Sequence, residues 1–192
     1  RKYASKEEYF NYMSTFDDTL FTLKVVDIPK NVAAEKLAKL IDYYPWDSIK
    51  NELAHLANKT PSIHDVLKFI AAPARLEFLI ALAIKSKLPT VKVIPNYPCD
   101  DEGLPTSTAG GNLGDIECFE TTNNILVEVT MAEGRQQTMM EVWPIARHMA
   151  EFKEKYECNH PQCIFVAPSV FADTKDQIDW VKDRKKLFIR PY

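Results

Sequence analysis

The sequence predicts a single α/β domain. The chain has 192 residues, of which 46% are hydrophobic and only five are glycine. That composition is enough for a sizeable core and argues against disorder. Segments with apolar residues at three- and four-residue steps indicate helices, and short β-type apolar runs between them indicate strands.

The first third of the chain is predicted to be helical. We expect a helix over residues 5–20, one or two helices over residues 32–56 and a long helix over residues 61–85. The run Tyr44-Pro45-Trp46 interrupts the second of these segments, because proline disfavours the continuation of a helix.

One acidic residue stands out in the third helical segment. Glu77 lies between Leu76 and Phe78 in an otherwise apolar stretch. An acid at such a position is most commonly a helix surface residue. The alternative is that Glu77 reaches a site formed by the strands that follow, and residue spacing leaves both interpretations open.

Acidic residues inside β-type sequence are the most informative feature of the chain. Asp115 opens a strand, the residues 121–124 form a turn, and a second strand over residues 125–131 returns antiparallel. Asp115 therefore lies across from Glu128, and a cation can repay the hydration that two such carboxylates lose. Oxygen ligands suit Mg²⁺, or Mn²⁺ in its place. The alternative is a solvated hairpin with ordinary surface acids.

The remaining segments complete the α/β pattern. We expect strands over residues 88–94, 163–167 and 187–190 and helices over residues 135–156 and 174–183.

The helix predicted over residues 135–156 carries polar side chains along the flank of its apolar stripe. Gln137, Glu141 and His148 are spaced so that they face the preceding strands from successive turns. Pro144 is expected to kink this helix or to loosen one turn of it.

Four cysteines are present, at positions 99, 118, 158 and 163, without a CxxC spacing. Cys158, His160 and Cys163 lie close together in the sequence, which leaves zinc as an alternative. We favour reduced thiols in a packed domain, because Cys163 opens an apolar run that is typical of a buried strand.

The sequence also predicts where the protein resides. No apolar run reaches the roughly 20 residues of a membrane span, and residues 1–8 lack the apolar stretch of a secretory signal. We therefore expect a cytoplasmic protein that does not associate with a membrane.

The order of these motifs resembles that of the PD-(D/E)XK nuclease superfamily, and more closely that of the AlwI-like family of type IIS restriction and nicking endonucleases. The residues that carry the resemblance are Glu77, Gly114-Asp115, Val127-Glu128-Val129-Thr130, Gln137 and Glu141. Within the family, the chain is most similar to the small catalytic subunit of a heterodimeric enzyme whose large subunit is a nicking endonuclease. The resemblance implies a mixed β-sheet flanked by helices, with a helical elaboration over residues 1–60 and a catalytic core over residues 61–192.

The resemblance further implies a metal-dependent phosphodiesterase. Asp115, Glu128 and the Val129 carbonyl would bind Mg²⁺, and Glu77 would join them directly or through water. Thr130 stands where the superfamily usually has a lysine, so no ammonium group activates water there. Glu141 is the candidate substitute.

Two helix residues are implied at outer positions, where they touch the ligands or the water and not the ion. Gln137, one turn before Glu141, would position the same group. His148 is a weaker candidate, because a lone helix histidine is more often a structural residue.

The net charge of the chain indicates how it would bind DNA. The formal net charge is −3, whereas DNA-binding domains usually have a basic surface. We expect double-stranded DNA to be reached through a larger recognition subunit, each active site cutting one strand. A DNA repair or recombination nuclease and a non-catalytic assembly module on the same fold are the alternatives. A different metal-dependent phosphotransferase or nucleotide hydrolase would also use clustered carboxylates. The glycine-rich motif of a P-loop is absent, which disfavours phosphate binding of that kind.

Overall fold

The computed structural model of the chain describes residues 5–8, 11, 28–121, 123–158 and 160–192. Within this part of the chain, one mixed sheet is formed in the order β1-β2-β3-β4-β5. The strands are β1 (Lys92–Pro95), β2 (Ile116–Phe119), β3 (Asn124–Val129), β4 (Gln162–Val166) and β5 (Phe188–Pro191). Strands β1, β2 and β3 pair antiparallel, and β4 and β5 continue the sheet in parallel with β3.

Helices cover both faces of the sheet. They are α1 (Ile28–Leu40), α2 (Trp46–Ala57), α3 (Ala72–Lys87), α4 (Gly134–Met140), α5 (Val142–Lys155) and α6 (Ala172–Lys185). Side chains of α1, α2 and α3 share one core cluster with the sheet, and side chains of α5 and α6 share the other. This arrangement confirms the predicted α/β class.

The alternation of side chains along β3 divides the two cores. Val127 packs into the cluster on the α1–α3 side, whereas its neighbour Leu126 packs into the cluster on the α5–α6 side. Because successive strand residues point to opposite faces, Glu128 lies on the same face as Leu126. The period of the strand thus turns this carboxylate toward α5.

The prediction of a helix over residues 61–85 is wrong for the first part of that range. Residues 61–71 are irregular apart from one 3₁₀ turn at Leu67–Phe69, and α3 begins only at Ala72. Pro73 lies in the first turn of α3, where a proline ring fits because that turn has no use for its missing N–H. The proline therefore marks the start of a helix and not its interior.

The helix predicted over residues 135–156 is two helices. Helix α4 ends at Met140 and α5 begins at Val142, with Glu141 between them at φ −103° and ψ −43°. Pro144 causes the break, because its ring cannot donate to the Met140 carbonyl four residues earlier and crowds it. The expected loosening is confirmed and lies before the proline.

The other predicted elements agree with the structure to within a few residues. The segment over residues 32–56 is two helices, separated by a turn that ends at Pro45. Strand β1 begins at Lys92, four residues later than predicted. Of the helix expected over residues 5–20, only residues 5–8 and 11 are described, and the rest lies outside the described residues. No helix in the described ranges is long and apolar enough to cross a membrane. The division at residue 60 stays a prediction.

Candidate active site

The hairpin of β2 and β3 brings Asp115 and Glu128 together. Ile116 pairs with Val127 in the antiparallel register, so the residue before Ile116 lies opposite the residue after Val127. The Asp115 carboxylate Oδ2 accepts a hydrogen bond of 2.6 Å from the Val129 backbone N–H. The two acids thus meet at the end of the sheet where β2 begins and β3 ends.

Gly114 leaves the space that this approach requires. A Cβ atom built at Gly114 would press into the Leu126 side chain and lie 2.9 Å from Glu128 Oε1. Gly114 has an ordinary φ, so its role is to provide room and not an unusual backbone conformation. Sequence reasoning quoted Gly114 only as part of a motif and missed this function.

His148 is the basic partner of Glu128. His148 Nδ1 lies 2.9 Å from Glu128 Oε1, and Nε2 lies 3.2 Å from the Gly111 carbonyl oxygen. Both ring nitrogens face acceptors, so the imidazolium form satisfies both contacts. The hydrogen bond to Glu128 accordingly raises the pKa of His148, against the opposing effect of burial. The sequence predicted that His148 lies on the flank of the helix that faces the strands, and a structural role was favoured for it there.

Glu77 reaches the same end of the sheet from α3. Its side chain is 3% exposed, and Oε2 accepts a hydrogen bond of 2.9 Å from the Ala109 N–H. Burial, reinforced by the Glu128 charge and opposed by the Ala109 N–H, raises the pKa of Glu77 to about 7. Glu77 is therefore a buried acid that faces the hairpin and not a helix surface residue.

Glu141 joins from the break between α4 and α5. Thr130 Oγ1 donates a hydrogen bond of 2.7 Å to Glu141 Oε1 and accepts one of 3.0 Å from the Ala132 N–H. Thr130 thus fixes Glu141 beside the strand position that follows Val129.

The four carboxylates lie within electrostatic reach of one another. Burial first, and then the charges of Glu128, Glu77 and Glu141, raise the pKa of Asp115 well above its usual range, although the Val129 N–H opposes the rise. Burial also raises the pKa of Glu128, against the His148 hydrogen bond. Among the described residues, no lysine or arginine forms an ion pair with any of the four. His148 is the one basic partner among the described residues, so the cluster holds more acidic groups than basic ones, and a bound cation would favour their ionised forms.

Gln137 stands apart from this cluster. Its side chain is fully buried and donates to the carbonyls of Ala132 and Ser169, both at 2.9 Å, while it accepts from the Phe171 N–H at 2.9 Å. These bonds tie α4 to the segments that follow β3 and β4. None of them involves a carboxylate.

The donor chemistry of the cluster fits a hard cation. In the described part of the chain, no group of three or more His, Cys, Asp or Glu side chains is arranged so that it could hold a metal ion. Mg²⁺ does not need such a group, because it is usually held by one or two carboxylates and keeps several waters. The hydrogen bonds of Asp115 and Glu128 engage one oxygen of each carboxylate, so the second oxygen of each is available as a ligand.

Sulfur contributes little to this donor set. All four cysteines are free. Burial, with the nearby charges of Glu128 and Asp115, raises the pKa of the Cys163 thiol well above its usual range. The thiol stays protonated, which disfavours it as a ligand for a soft metal.

The loop that contains Ala109 and Gly111 is hydrogen-bonded to side chains of the site. The sequence did not predict these contacts. Ala109 donates to Glu77, and the Gly111 carbonyl lies 3.2 Å from His148 Nε2 and accepts a bond of 3.3 Å from Arg147 Nη2. The loop thereby connects α3 with α5 across the end of the sheet. No pattern in the sequence marks these backbone contacts, because they join segments that are far apart in the chain.

Comparison with known proteins agrees with this architecture. A family model described as AlwI restriction endonuclease matches residues 46–186. The crystal structure of the small subunit (R.BspD6I2) of the heterodimeric restriction endonuclease R.BspD6I is similar, with a TM-score of 0.57 and 23% sequence identity. The similarity covers 74% of this chain and 72% of that chain, and it concerns the fold. A search of curated proteins finds no match.

Proposed function

This chain belongs to the AlwI restriction endonuclease family, and we propose that it is the cleavage unit of a Mg²⁺-dependent type IIS restriction endonuclease. In this proposal the chain hydrolyses one DNA strand, and a larger partner subunit supplies sequence recognition. The core is of the PD-(D/E)XK type.

The observation that carries the proposal is the excess of acidic over basic side chains at the end of the sheet. Glu77, Asp115, Glu128 and Glu141 influence one another electrostatically, and His148 is the recorded cationic partner. Burying like charges is costly unless a counter-charge is supplied. A divalent cation held by Asp115 and Glu128 would supply it, and such an ion would leave ligand positions for water and a DNA phosphate.

Asp115, Glu128 and the Val129 carbonyl hold Mg²⁺ in this proposal, and Glu77 joins directly or through water. Mn²⁺ substitutes because it accepts the same oxygen ligands. When bound, the metal polarises the scissile phosphate and lowers the pKa of a bound water. Burial raises the pKa of Glu77 to about 7, so Glu77 would have to lose its proton to serve as a ligand.

Glu141 orients the attacking water in place of the usual lysine. Thr130, at the lysine position, holds Glu141 through its hydroxyl group. His148 keeps Glu128 ionised and correctly turned through the bond between Nδ1 and Oε1. Gln137 acts at a distance, because it fixes the start of α4 and hence the position of Glu141.

The partner is supported by charge and by the structural comparison. The chain has a net charge of −3, which disfavours strong autonomous binding to duplex DNA. The similar structure is described as the small subunit of a heterodimeric restriction endonuclease. One active site cuts one strand, so a double-strand break requires a second site.

Metal binding is the direct test of the site. Calorimetric titration with Mg²⁺, with and without a short DNA duplex, compares the wild type with Asp115→Asn, Glu128→Gln and the control Asp101→Asn. Asp101 is exposed, so its variant should bind as the wild type does, while the other two should lose binding. Equal binding by all four proteins, or no binding by the wild type in either condition, would overturn the proposed site.

A further inference from the structure

We propose that Asn96 is a positioning residue of the cleavage site. It fixes the backbone on both sides of Asp115 and thereby aims the Asp115 carboxylate at the place where it meets Glu128. This inference rests on the proposed function, to which it adds a residue that lies outside the cluster of acids.

Asn96 follows β1 directly and holds the two peptide units that flank Asp115. Its side-chain Nδ2 donates a hydrogen bond of 2.6 Å to the Gly114 carbonyl, and its backbone N–H donates one of 2.9 Å to the Asp115 carbonyl. The second bond continues the antiparallel ladder in which Pro95 pairs with Ile116. The first bond is made by the side chain and therefore depends on the identity of the residue.

Only the donor end of the Asn96 side-chain amide makes a hydrogen bond. Its other end, Oδ1, is buried without a hydrogen-bond partner among the described residues. The opposite orientation would place Oδ1 against the Gly114 carbonyl, where two acceptors repel each other. An unpaired buried acceptor is costly, so stability alone does not explain why an amide occupies this position.

The segment Gly114-Asp115, which Asn96 holds through these two hydrogen bonds, has little room to move. Gly114 is buried, and even a methyl group there would meet Leu126 and Glu128 Oε1. On the opposite side, the Asp115 carboxylate is bonded to the Val129 N–H. A change in the direction of the Gly114 carbonyl must therefore move Asp115 relative to Val129 and Glu128.

Amide hydrogen exchange of the metal-free full chain tests this inference by NMR. The Val129 N–H reports on the Asp115 carboxylate, and the Ala109 N–H, which is bonded to Glu77, serves as the internal reference. Asn96→Ala removes the side chain, and Asn96→Asp keeps its shape without the donor. The matched control is Asn112→Ala, because Asn112 is exposed in the loop that leads to Asp115.

We expect both Asn96 variants to accelerate exchange at Val129 by about ten-fold, with Ala109 unchanged and with no effect of the Asn112 variant. Unchanged exchange at Val129 would overturn the inference. Equal acceleration at Val129 and Ala109 would also overturn it, because that result indicates general loosening. If Asn96→Ala does not fold, the isosteric Asp variant decides.

Cleavage assays separate this inference from the proposed function. When a fused DNA-binding module brings the chain to DNA in the presence of Mg²⁺, the Asn96 variants should lower kcat and raise the half-saturating Mg²⁺ concentration while KM for DNA stays the same. Wild-type kinetics in both Asn96 variants would contradict positioning. A wild type that binds no Mg²⁺ and cleaves no DNA would instead remove the proposed function, while hydrogen exchange would still report whether Asn96 orients Asp115.

Discussion

At the scale of single residues, two of the glycines in the loop before β2 differ in the space around them. Gly114 has no room for a Cβ atom, whereas Gly110 has no heavy atom within 4 Å of that position. Gly114→Ala is expected to destabilise the fold by about 1–3 kcal/mol through overpacking, and Gly110→Ala to stabilise it by about 0.4–1 kcal/mol through a smaller unfolded-state entropy.

Urea unfolding of the two variants checks this prediction, because it measures the free energy of unfolding directly. Displacement of Glu128 should also make Gly114→Ala slower in cleavage, while Gly110→Ala should match the wild type. Equal free energies for both variants would show that the contact of Gly114 with Glu128 is not tight.

Glu77 gives the metal-free protein a dependence of stability on pH. Burial raises its folded-state pKa to about 7, above an ordinary unfolded value near 4.3. The protonated carboxyl therefore contributes stability that is fully present below the unfolded value and is lost as the pH rises through about 7. Between pH 5 and pH 8 the loss amounts to roughly 2–3 kcal/mol at most.

Glu77→Gln removes the titrating group and should flatten this part of the stability curve. Thermal unfolding at a series of pH values, without metal, compares it with the wild type and with Glu151→Gln, which changes an exposed glutamate. The Glu151 variant should follow the wild type. The same curve for Glu77→Gln and the wild type would mean that Glu77 is not a buried proton acceptor.

Part of the candidate site could be predicted from the sequence, and part of it could not. The opposition of Asp115 and Glu128 was predictable, because a hairpin fixes which residues pair. The inward position of Glu77 was not, because it depends on how α3 packs against strands about 40 residues later in the chain. Asn96 carries no local signal, since its role lies in two bonds to distant backbone carbonyls.

At the scale of elements, the break between α4 and α5 positions Glu141. Pro144 prevents a continuous helix, and Glu141, which lies at the break, accepts the hydrogen bond from Thr130. Pro144→Ala should allow the helices to join, raise the helical signal in circular dichroism and misplace Glu141. We expect cleavage to slow by about ten-fold, because small displacements of catalytic groups are costly.

The matched control for this change is Pro98→Ala, which removes an exposed proline from a loop. Wild-type cleavage is expected for the control. Full activity of Pro144→Ala with an unchanged helical signal would contradict the assigned role of the break.

The helix boundaries illustrate a second limit of local pattern. Pro73 was compatible with the apolar periodicity of residues 61–85, yet the helix starts there because proline fits the first turn. The apolar stripe predicted for residues 135–156 consists of Val142, Ile145, Met149, Phe152 and Tyr156. The first four side chains are buried, and Tyr156 is partly buried against them. Periodicity thus identified the buried faces better than the ends of the helices.

At the scale of the whole molecule, we expect cutting and recognition to be carried out by separate modules. The fold brings four acids together at one end of the five-stranded sheet, two from the β2–β3 hairpin, one from α3 and one from the break between α4 and α5. The chain as a whole has a net charge of −3. A cleavage unit of this kind depends on another module to bring it to DNA, because phosphate contacts provide most of the affinity for duplex DNA.

A tethered cleavage assay tests whether the chain cuts DNA when another module brings it to a site. The chain is fused to a zinc-finger array of known specificity and incubated in Mg²⁺ with a supercoiled plasmid that carries one finger site. The account predicts a Mg²⁺-dependent break in one strand beside that site, lost in Asp115→Asn and retained in Asp101→Asn. Cleavage at positions unrelated to the finger site, or full activity of Asp115→Asn, would contradict it.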